Sequence, residues 1–140
     1  ILREADFVSI HVPLTEKTRH LINYESLKGM KPTAYLINTA RGGVVDTEGL
    51  ARALREGIIA GAGLDVHEKE PIAMDNPLLK LEDKCILAPH IARGTVEARS
   101  KMAEMAANNL ISVLRGEKPS GLVNPDAMNV KPLAKVKMIA

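Results

Sequence analysis

The sequence predicts an α/β domain built on a doubly wound parallel sheet. Short aliphatic and β-branched runs alternate with segments of helical periodicity along residues 7–88, and this order produces parallel strands joined by helical crossovers. The strand candidates are continuous apolar runs, which are typical of strands that are covered on both faces. We therefore expect the second half of a doubly wound domain, followed by a tail.

Turn and cap residues bound the elements of the first half of the chain. Pro13 ends the first predicted strand, Phe7–Val12. Asn23 can accept hydrogen bonds at the start of a helix over Tyr24–Met30, which Pro32 stops. The other elements expected here are a strand over 34–38, an Arg-Gly-Gly turn at 41–43, and a helix that begins at Asp46 or Thr47 and ends at Gly57.

The second half contains two further strands and a long helix. The run Ile58–Val66 is rich in glycine and alanine, which indicates a strand packed closely against a helix. The apolar side chains of the long helix recur at helical spacing, and we expect Met102 and Met105 to face a core. The elements expected in order are a strand over 58–66, a loop over 67–81 with a helical turn at 78–81, a strand over 85–88, and a helix from Thr95 to about Arg115.

Composition and charge exclude several classes of partner. The formal net charge is +2, from 19 basic and 17 acidic residues, so nothing favours nucleic acid or a membrane surface. No apolar run approaches the roughly 18 residues of a membrane span. Cys85 is the single cysteine, which excludes an intramolecular disulfide, and with no signal peptide visible we expect the cytoplasm. The chain opens on Ile1 as if inside a helix, so we expect that its true N-terminus is missing.

Chemistry-bearing residues follow the strands at the edge where open α/β sheets bind ligands. Arg41 follows the second strand, Asp65 and Glu70 the third, and His90 the fourth. Arg41 can grip a substrate carboxylate with two hydrogen bonds, and His90 can give or take a hydroxyl proton. Glu70 can bind the other imidazole nitrogen, fix its tautomer and favour its charged form. Because no side chain accepts a hydride, this chemistry implies a nicotinamide cofactor.

Other polar residues are expected to be structural. We place His11 inside the first strand as a packing residue, and we expect His20 and His67 to be exposed or packed. Glu68 is interpreted as a solvated charge. The histidines come from separate segments without metal-ligand spacing, so the sequence predicts no metal site.

The segment Met30–Asp46 resembles the signature of the D-isomer-specific 2-hydroxyacid dehydrogenases. The resemblance continues through Leu64–Pro71, Asn76–Leu78 and Ala88–Ile91, in the order and spacing of that family. It covers about residues 1–125. The motifs together are highly specific, although each one alone is weak.

The resemblance implies the fold, the cofactor and the roles of individual residues. Arg41, Glu70 and His90 would be the catalytic trio, and Asp65 would hold the nicotinamide carboxamide. The cofactor cleft would be lined by Val12, Thr39, Ala40, Arg41, Asp65, His90, Ile91, Ala92 and Arg93. The cofactor would be NAD, with NADP not excluded, the substrate a D-2-hydroxy acid or its 2-keto acid, and the assembly a homodimer. Residues 1–118 would form the C-terminal half of a Rossmann-like NAD-binding domain, and residues 119–140 a tail crossing to a substrate domain that is mostly absent.

The chain departs from the family pattern in three places. The glycine-rich G-x-G-x-x-G loop and the acid that would hold the adenosine ribose are missing, so the chain has no cradle for a pyrophosphate. Arg93 stands where the family commonly has a small residue, and His67 where it often has an aromatic one. Two alternatives to an active dehydrogenase remain open: an NAD-sensing binding module like the corepressors built on this scaffold, and an inactive fragment.

Overall fold

The computed structural model describes residues 1–127. They belong to two compact units, one over Ile1–Ala92 and a second that begins at Arg93. The elements in chain order are β1 (Phe7–Ile10), α1 (Tyr24–Leu27), β2 (Tyr35–Asn38), a 3-10 turn (Gly42–Val44), α2 (Thr47–Arg55), β3 (Gly61–Leu64), a 3-10 turn (Pro77–Lys80), β4 (Cys85–Leu87) and α3 (Val96–Leu114). Part of the predicted tail, 128–140, lies outside the described residues, and the domain boundary placed after residue 118 stays a prediction.

A parallel sheet forms the centre of the first unit. Its four strands lie in the order β1-β2-β3-β4, so each strand pairs with the next one along the chain. The register aligns Ile10 with Asn38, Asn38 with Leu64, and Leu64 with Leu87. The strands therefore end level with one another, and the segments that follow them begin along one edge. The predicted parallel α/β architecture is confirmed.

One face of the sheet is buried and the other is exposed. Leu36 and Leu64 are buried in the same cluster as Leu50 of α2. On the opposite face Phe7 is 71% and Ile86 is 77% exposed. The expectation that both faces are covered is therefore wrong for residues 1–92, because the helices of this unit pack on one side only.

The helices begin near the predicted residues, and one of the two predicted caps makes its hydrogen bonds. Asn23 caps α1 and forms a capping box with Ser26, and Thr95 caps α3. Asp46 occupies the cap position of α2, but its side chain makes no capping hydrogen bond. The Thr47 N–H instead donates to Glu68 Oε1 at 2.8 Å. When the residue that accepts this hydrogen bond lies far along the chain, the sequence around the helix start does not reveal it.

The second unit contains α3, which ends before Gly116 at a positive φ of 77°. No side chain of α3 is buried, and Met102 and Met105 are 51% and 49% exposed. The expectation that these methionines face a core is wrong. Apolar residues at helical spacing form one face of a helix, but the spacing does not determine whether another element packs against that face. Within residues 1–127, no helix combines the length and the apolar character needed to cross a membrane.

Candidate active site

Glu70 and His90 form a direct acid–base pair beyond the ends of β3 and β4. His90 Nδ1 lies 2.8 Å from Glu70 Oε2, and the backbone N–H of His67 donates to Glu70 Oε1 at 3.0 Å. The hydrogen bond with His90, followed by that with the His67 N–H, lowers the pKa of Glu70 despite a smaller opposing effect of burial. Glu70 is therefore a carboxylate at neutral pH, and with Nδ1 engaged, the Nε2 atom of His90 is the one available for proton exchange.

Asp65 holds the backbone that follows His90. Its Oδ1 accepts from the Ile91 N–H at 2.8 Å and its Oδ2 from the Ala92 N–H at 2.7 Å. Burial favours a higher pKa for this carboxyl group, but these two backbone donors outweigh burial and lower the pKa of Asp65 below its usual 3.8. His90 itself has a φ of 59°, a left-handed conformation that non-glycine residues adopt mainly where surrounding contacts impose it.

Arg41 lies in a loop whose shape is set by a buried asparagine. The side chain of Asn38, fully buried at the end of β2, accepts from the Ala40 N–H and donates to the Arg41 carbonyl, both at 3.0 Å. The exposed guanidinium of Arg41 donates to the Ala40 carbonyl at 2.6 Å. Sequence reasoning missed Asn38, although a polar residue at the end of an apolar strand was a usable signal.

Arg41 and the Glu70–His90 pair line two different depressions of the first unit. A depression of about 750 Å³ is lined by His11, Val12, Pro13, Leu14, Ala40 and Arg41. A second, largely apolar one of about 460 Å³ is lined by His67, Glu70, Pro71, Ile72, Leu79, Leu87, Ala88, Pro89 and His90. The structure thus brings Glu70 and His90 into contact and leaves Arg41 out of that contact.

The loop after β2, which carries Arg41, is in backbone contact with the loop after β3, which carries Glu70. A Cβ atom built on Gly42 would lie 2.0 Å from the carbonyl carbon of His67 and 2.5 Å from the Glu68 nitrogen. Only a glycine allows two chain segments to approach this closely. The loops that carry Arg41 and Glu70 are therefore packed against each other, even though their side chains do not touch.

Three residues expected to be unremarkable have defined contacts. His11 lies beyond β1 rather than inside it, because the ladder with β2 stops at the Ile10–Asn38 pair, and its Nε2 is 2.8 Å from Ser9 Oγ. His67 is packed, with Nε2 2.9 Å from the Ala88 carbonyl oxygen. Glu68 is exposed, as expected for a solvated charge, but it also accepts from the Thr47 N–H and pairs with His20.

The remaining predicted cofactor residues lie in the segments that follow the strands. Thr39 is exposed and follows β2, Val12 is half-buried and follows β1, and Ile91 and Ala92 are exposed and follow β4. Arg93 is the first residue of the second unit. Among residues 1–127, no three His, Cys, Asp or Glu side chains cluster as ligands of a metal ion.

A parallel sheet that presents an imidazole–carboxylate pair and an arginine loop along its carboxyl edge has the arrangement of an open α/β ligand-binding domain. Residues 1–92 match the family model described as D-isomer specific 2-hydroxyacid dehydrogenase, NAD binding domain. The chain belongs to this family, and the predicted resemblance, fold and NAD-type cofactor are confirmed at that level.

Relatives and solved structures agree with this assignment. A glyoxylate reductase of Thermofilum pendens is 63% identical over 139 residues, which are 99% of this chain and 41% of that protein. The TT0316 protein of Thermus thermophilus is 48% identical with a TM-score of 0.81, over 88% of this chain and 39% of that one. D-lactate dehydrogenase of Lactobacillus jensenii, solved with NAD+, is 34% identical with a TM-score of 0.82, over 88% of this chain and 41% of that one. This chain therefore spans about two fifths of the length of the curated relatives that it matches.

Proposed function

We propose that this chain supplies the catalytic residues of an NAD(P)-dependent D-2-hydroxyacid dehydrogenase that reduces a small 2-keto acid, with glyoxylate as the leading substrate. The hydrogen bond of 2.8 Å between Glu70 and His90 carries the proposal, because such a pair is the acid–base device that a carbonyl reduction requires. The substrate is taken from the relative of 63% identity that is named glyoxylate reductase.

His90 is the proton donor in the proposed reaction. During reduction of a 2-keto acid, Nε2 donates a proton to the oxygen that becomes the hydroxyl group, and in the reverse direction it accepts this proton. Glu70 stays ionised and stabilises the imidazolium, since its pKa is lowered by the hydrogen bond to His90 and by the His67 N–H. Glu70 thus orients the imidazole of His90 for the reaction.

Arg41 is the proposed anchor of the substrate carboxylate. Its guanidinium is a permanently charged fork that matches a carboxylate with two hydrogen bonds. The side chain is exposed at the depression that follows β1 and β2. Its present donation to the Ala40 carbonyl leaves further N–H groups for a ligand, because a guanidinium carries five donors.

The cofactor fits this chain in part. Val12 and Ala40 line the depression beside Arg41, about 750 Å³ in volume, and would hold the nicotinamide part of the cofactor. Thr39, Asp65, His90, Ile91, Ala92 and Arg93 complete the set of residues that we propose for cofactor binding. A bound nicotinamide supplies or accepts the hydride. No glycine-rich loop for a pyrophosphate occurs in these 140 residues, so the roles that we propose concern the nicotinamide half of the cofactor.

The proposal extends to organisation and assembly. Residues 1–118 are the proposed second half of the NAD-binding domain, and 119–140 the crossing toward a substrate domain. We further propose a cytoplasmic homodimer, as the family resemblance implies. Sedimentation velocity of the native polypeptide that carries this chain tests the dimer.

Reduction of glyoxylate by the native polypeptide tests the function. Loss of NADH or NADPH absorbance is followed in the wild type and in the His90→Asn variant. Asparagine tolerates the left-handed backbone of residue 90 but cannot donate a proton in this way, so we expect turnover to fall at least about 100-fold. A polypeptide that binds NADH but reduces no 2-keto acid would instead support an NAD-sensing module, and one that binds no cofactor an inactive fragment.

A further inference from the structure

We propose that His20 and Glu68 are positioning residues that hold the loop bearing Arg41 in place. This inference rests on the proposed function, because it assigns the pair to the proposed substrate-binding arginine. Neither residue contacts the Glu70–His90 pair in the first unit. They would fix the position of the Arg41 backbone relative to that pair.

Glu68 uses its two carboxylate oxygens to join two separate segments. Its Oε1 accepts from the Thr47 N–H at 2.8 Å, and its Oε2 lies 2.9 Å from His20 Nε2. The Glu68 side chain is 31% exposed, so this carboxylate is only partly solvated. Thr47 is the first residue of α2, where a negative charge is also stabilised by the helix dipole.

Residues 20–22, the His20 segment, run alongside the loop that follows Arg41. The His20 N–H donates to the Gly43 carbonyl at 2.9 Å, the Ile22 N–H to the Val44 carbonyl at 3.1 Å, and the Asp46 N–H to the Ile22 carbonyl at 2.8 Å. His20 has a φ of 49°, so its backbone is held in a conformation that a free loop would avoid.

The Arg41 loop is therefore enclosed on two sides. On one side Gly43 and Val44 accept hydrogen bonds from the His20 segment, and on the other Gly42 is pressed against the backbone of His67 and Glu68. The His20–Glu68 contact connects these two sides. Because Glu68 is only two residues from Glu70, this enclosure also sets the distance between the Arg41 loop and the acid–base pair.

An ordinary surface ion pair would contribute little, since water and salt screen exposed charges. Three features set this pair apart: each oxygen of Glu68 has its own partner, one partner is a helix N-terminus, and His20 is in the left-handed region. The matched comparison is Glu56, an exposed carboxylate near the other end of α2 that also has two partners, Arg52 and Tyr24.

Steady-state kinetics of the native polypeptide with glyoxylate and NADH or NADPH test the proposal on four variants. In Glu68→Ala, and in His20→Asn, which keeps the backbone conformation, we expect kcat/KM to fall about 10- to 100-fold, mainly through a higher KM for glyoxylate. Glu68→Gln still accepts from Thr47, so its kcat/KM should stay within about threefold of the wild type. The pH profile set by Glu70 and His90 should not move. Glu56→Ala is the control and should leave kcat/KM unchanged.

Hydrogen exchange of residues 42–47 gives a readout that does not depend on activity. We expect exchange there to become about tenfold faster in Glu68→Ala than in Glu56→Ala, and trypsin to cleave after Arg41 more readily. Equal kinetics and equal exchange in these two variants would overturn the positioning role. A wild type without reductase activity would refute the proposed function, and hydrogen exchange would then decide whether the enclosure exists.

Discussion

Gly42 and His67 approach each other so closely that no side chain fits between them. A Cβ on Gly42 would lie 2.1 Å from the His67 carbonyl oxygen as well as 2.0 Å from its carbon. This contact couples the loop after β2 to the loop after β3, and so couples the proposed substrate anchor to the proposed acid–base pair.

The Gly42→Ala variant should separate the two loops. The added methyl group meets backbone rather than a flexible side chain, so we expect a loss of about 1–3 kcal/mol in the free energy of unfolding together with reduced turnover. Gly63→Ala is the matched control, because its Cβ would meet only Ile37 Cδ1 at 3.5 Å. Urea denaturation of both variants provides the measurement, and equal stability would show that the loops move apart freely.

The Glu70→Gln variant should shift the pH dependence of reduction. In the proposed reaction His90 donates the proton, and a neutral amide stabilises the imidazolium less than the carboxylate whose pKa is lowered by this same hydrogen bond. In the wild type this stabilisation is lost only as the pH falls through the lowered pKa of Glu70, whereas the variant lacks it at every pH, so the advantage of the wild type should be full at neutral pH and shrink in the acid range. Rate profiles are compared with those of Glu82→Gln, an exposed carboxylate. Superimposable profiles would contradict the role of Glu70.

The Asp65→Asn variant should lose stability in a pH-dependent manner. The folded pKa of Asp65 lies below its usual 3.8, so the carboxylate stabilises the fold fully above that pH and loses this contribution as the pH falls through the folded value. One amide oxygen cannot replace two acceptors, and we expect a loss of about 1–3 kcal/mol at pH 7.

Denaturation of the wild type, Asp65→Asn and the exposed control Asp83→Asn across the acid range checks this prediction. The difference between wild type and Asp65→Asn should shrink below about pH 4, where the unfolded carboxyl group becomes protonated. A difference that stays constant with pH would mean that the side chain matters for its shape and not for its charge.

The Arg41→Lys variant should separate charge from geometry. Lysine keeps the positive charge but replaces the planar fork with a point charge. We expect kcat/KM for glyoxylate to fall about 10- to 100-fold. Arg55→Lys, an exposed arginine on α2, serves as the control. If Arg41→Lys retains full activity, the carboxylate is held by another group.

Features that depend on neighbouring residues could be predicted from the sequence. Asn23 caps α1 as expected, and α3 begins after Thr95 as expected, because a cap and the N–H groups from which it accepts hydrogen bonds lie within three residues of each other. The contact between Glu70 and His90 was also accessible, since parallel strands that end level bring the following residues to one edge.

Features that depend on distant partners could not be predicted. The acceptor for the first N–H of α2 is Glu68, 21 residues further along the chain, so no local pattern distinguishes it from Asp46. The left-handed backbone of His90 is held by hydrogen bonds from the next two residues to Asp65, and its own side chain gives no sign of it. The predicted strands are longer than the observed ones, because a strand ends where the neighbouring strand turns away and no longer pairs with it.

The six residues from Asp65 to Glu70 attach three other parts of the chain at once. Asp65 binds the segment after His90, Glu68 binds α2 and His20, and Glu70 binds the imidazole of His90. Deleting or inserting one residue here would misalign all three attachments together, whereas exposed Lys69 can vary without disturbing any of them. Substitutions at the outward-facing positions of this stretch should therefore be tolerated better than changes in its length.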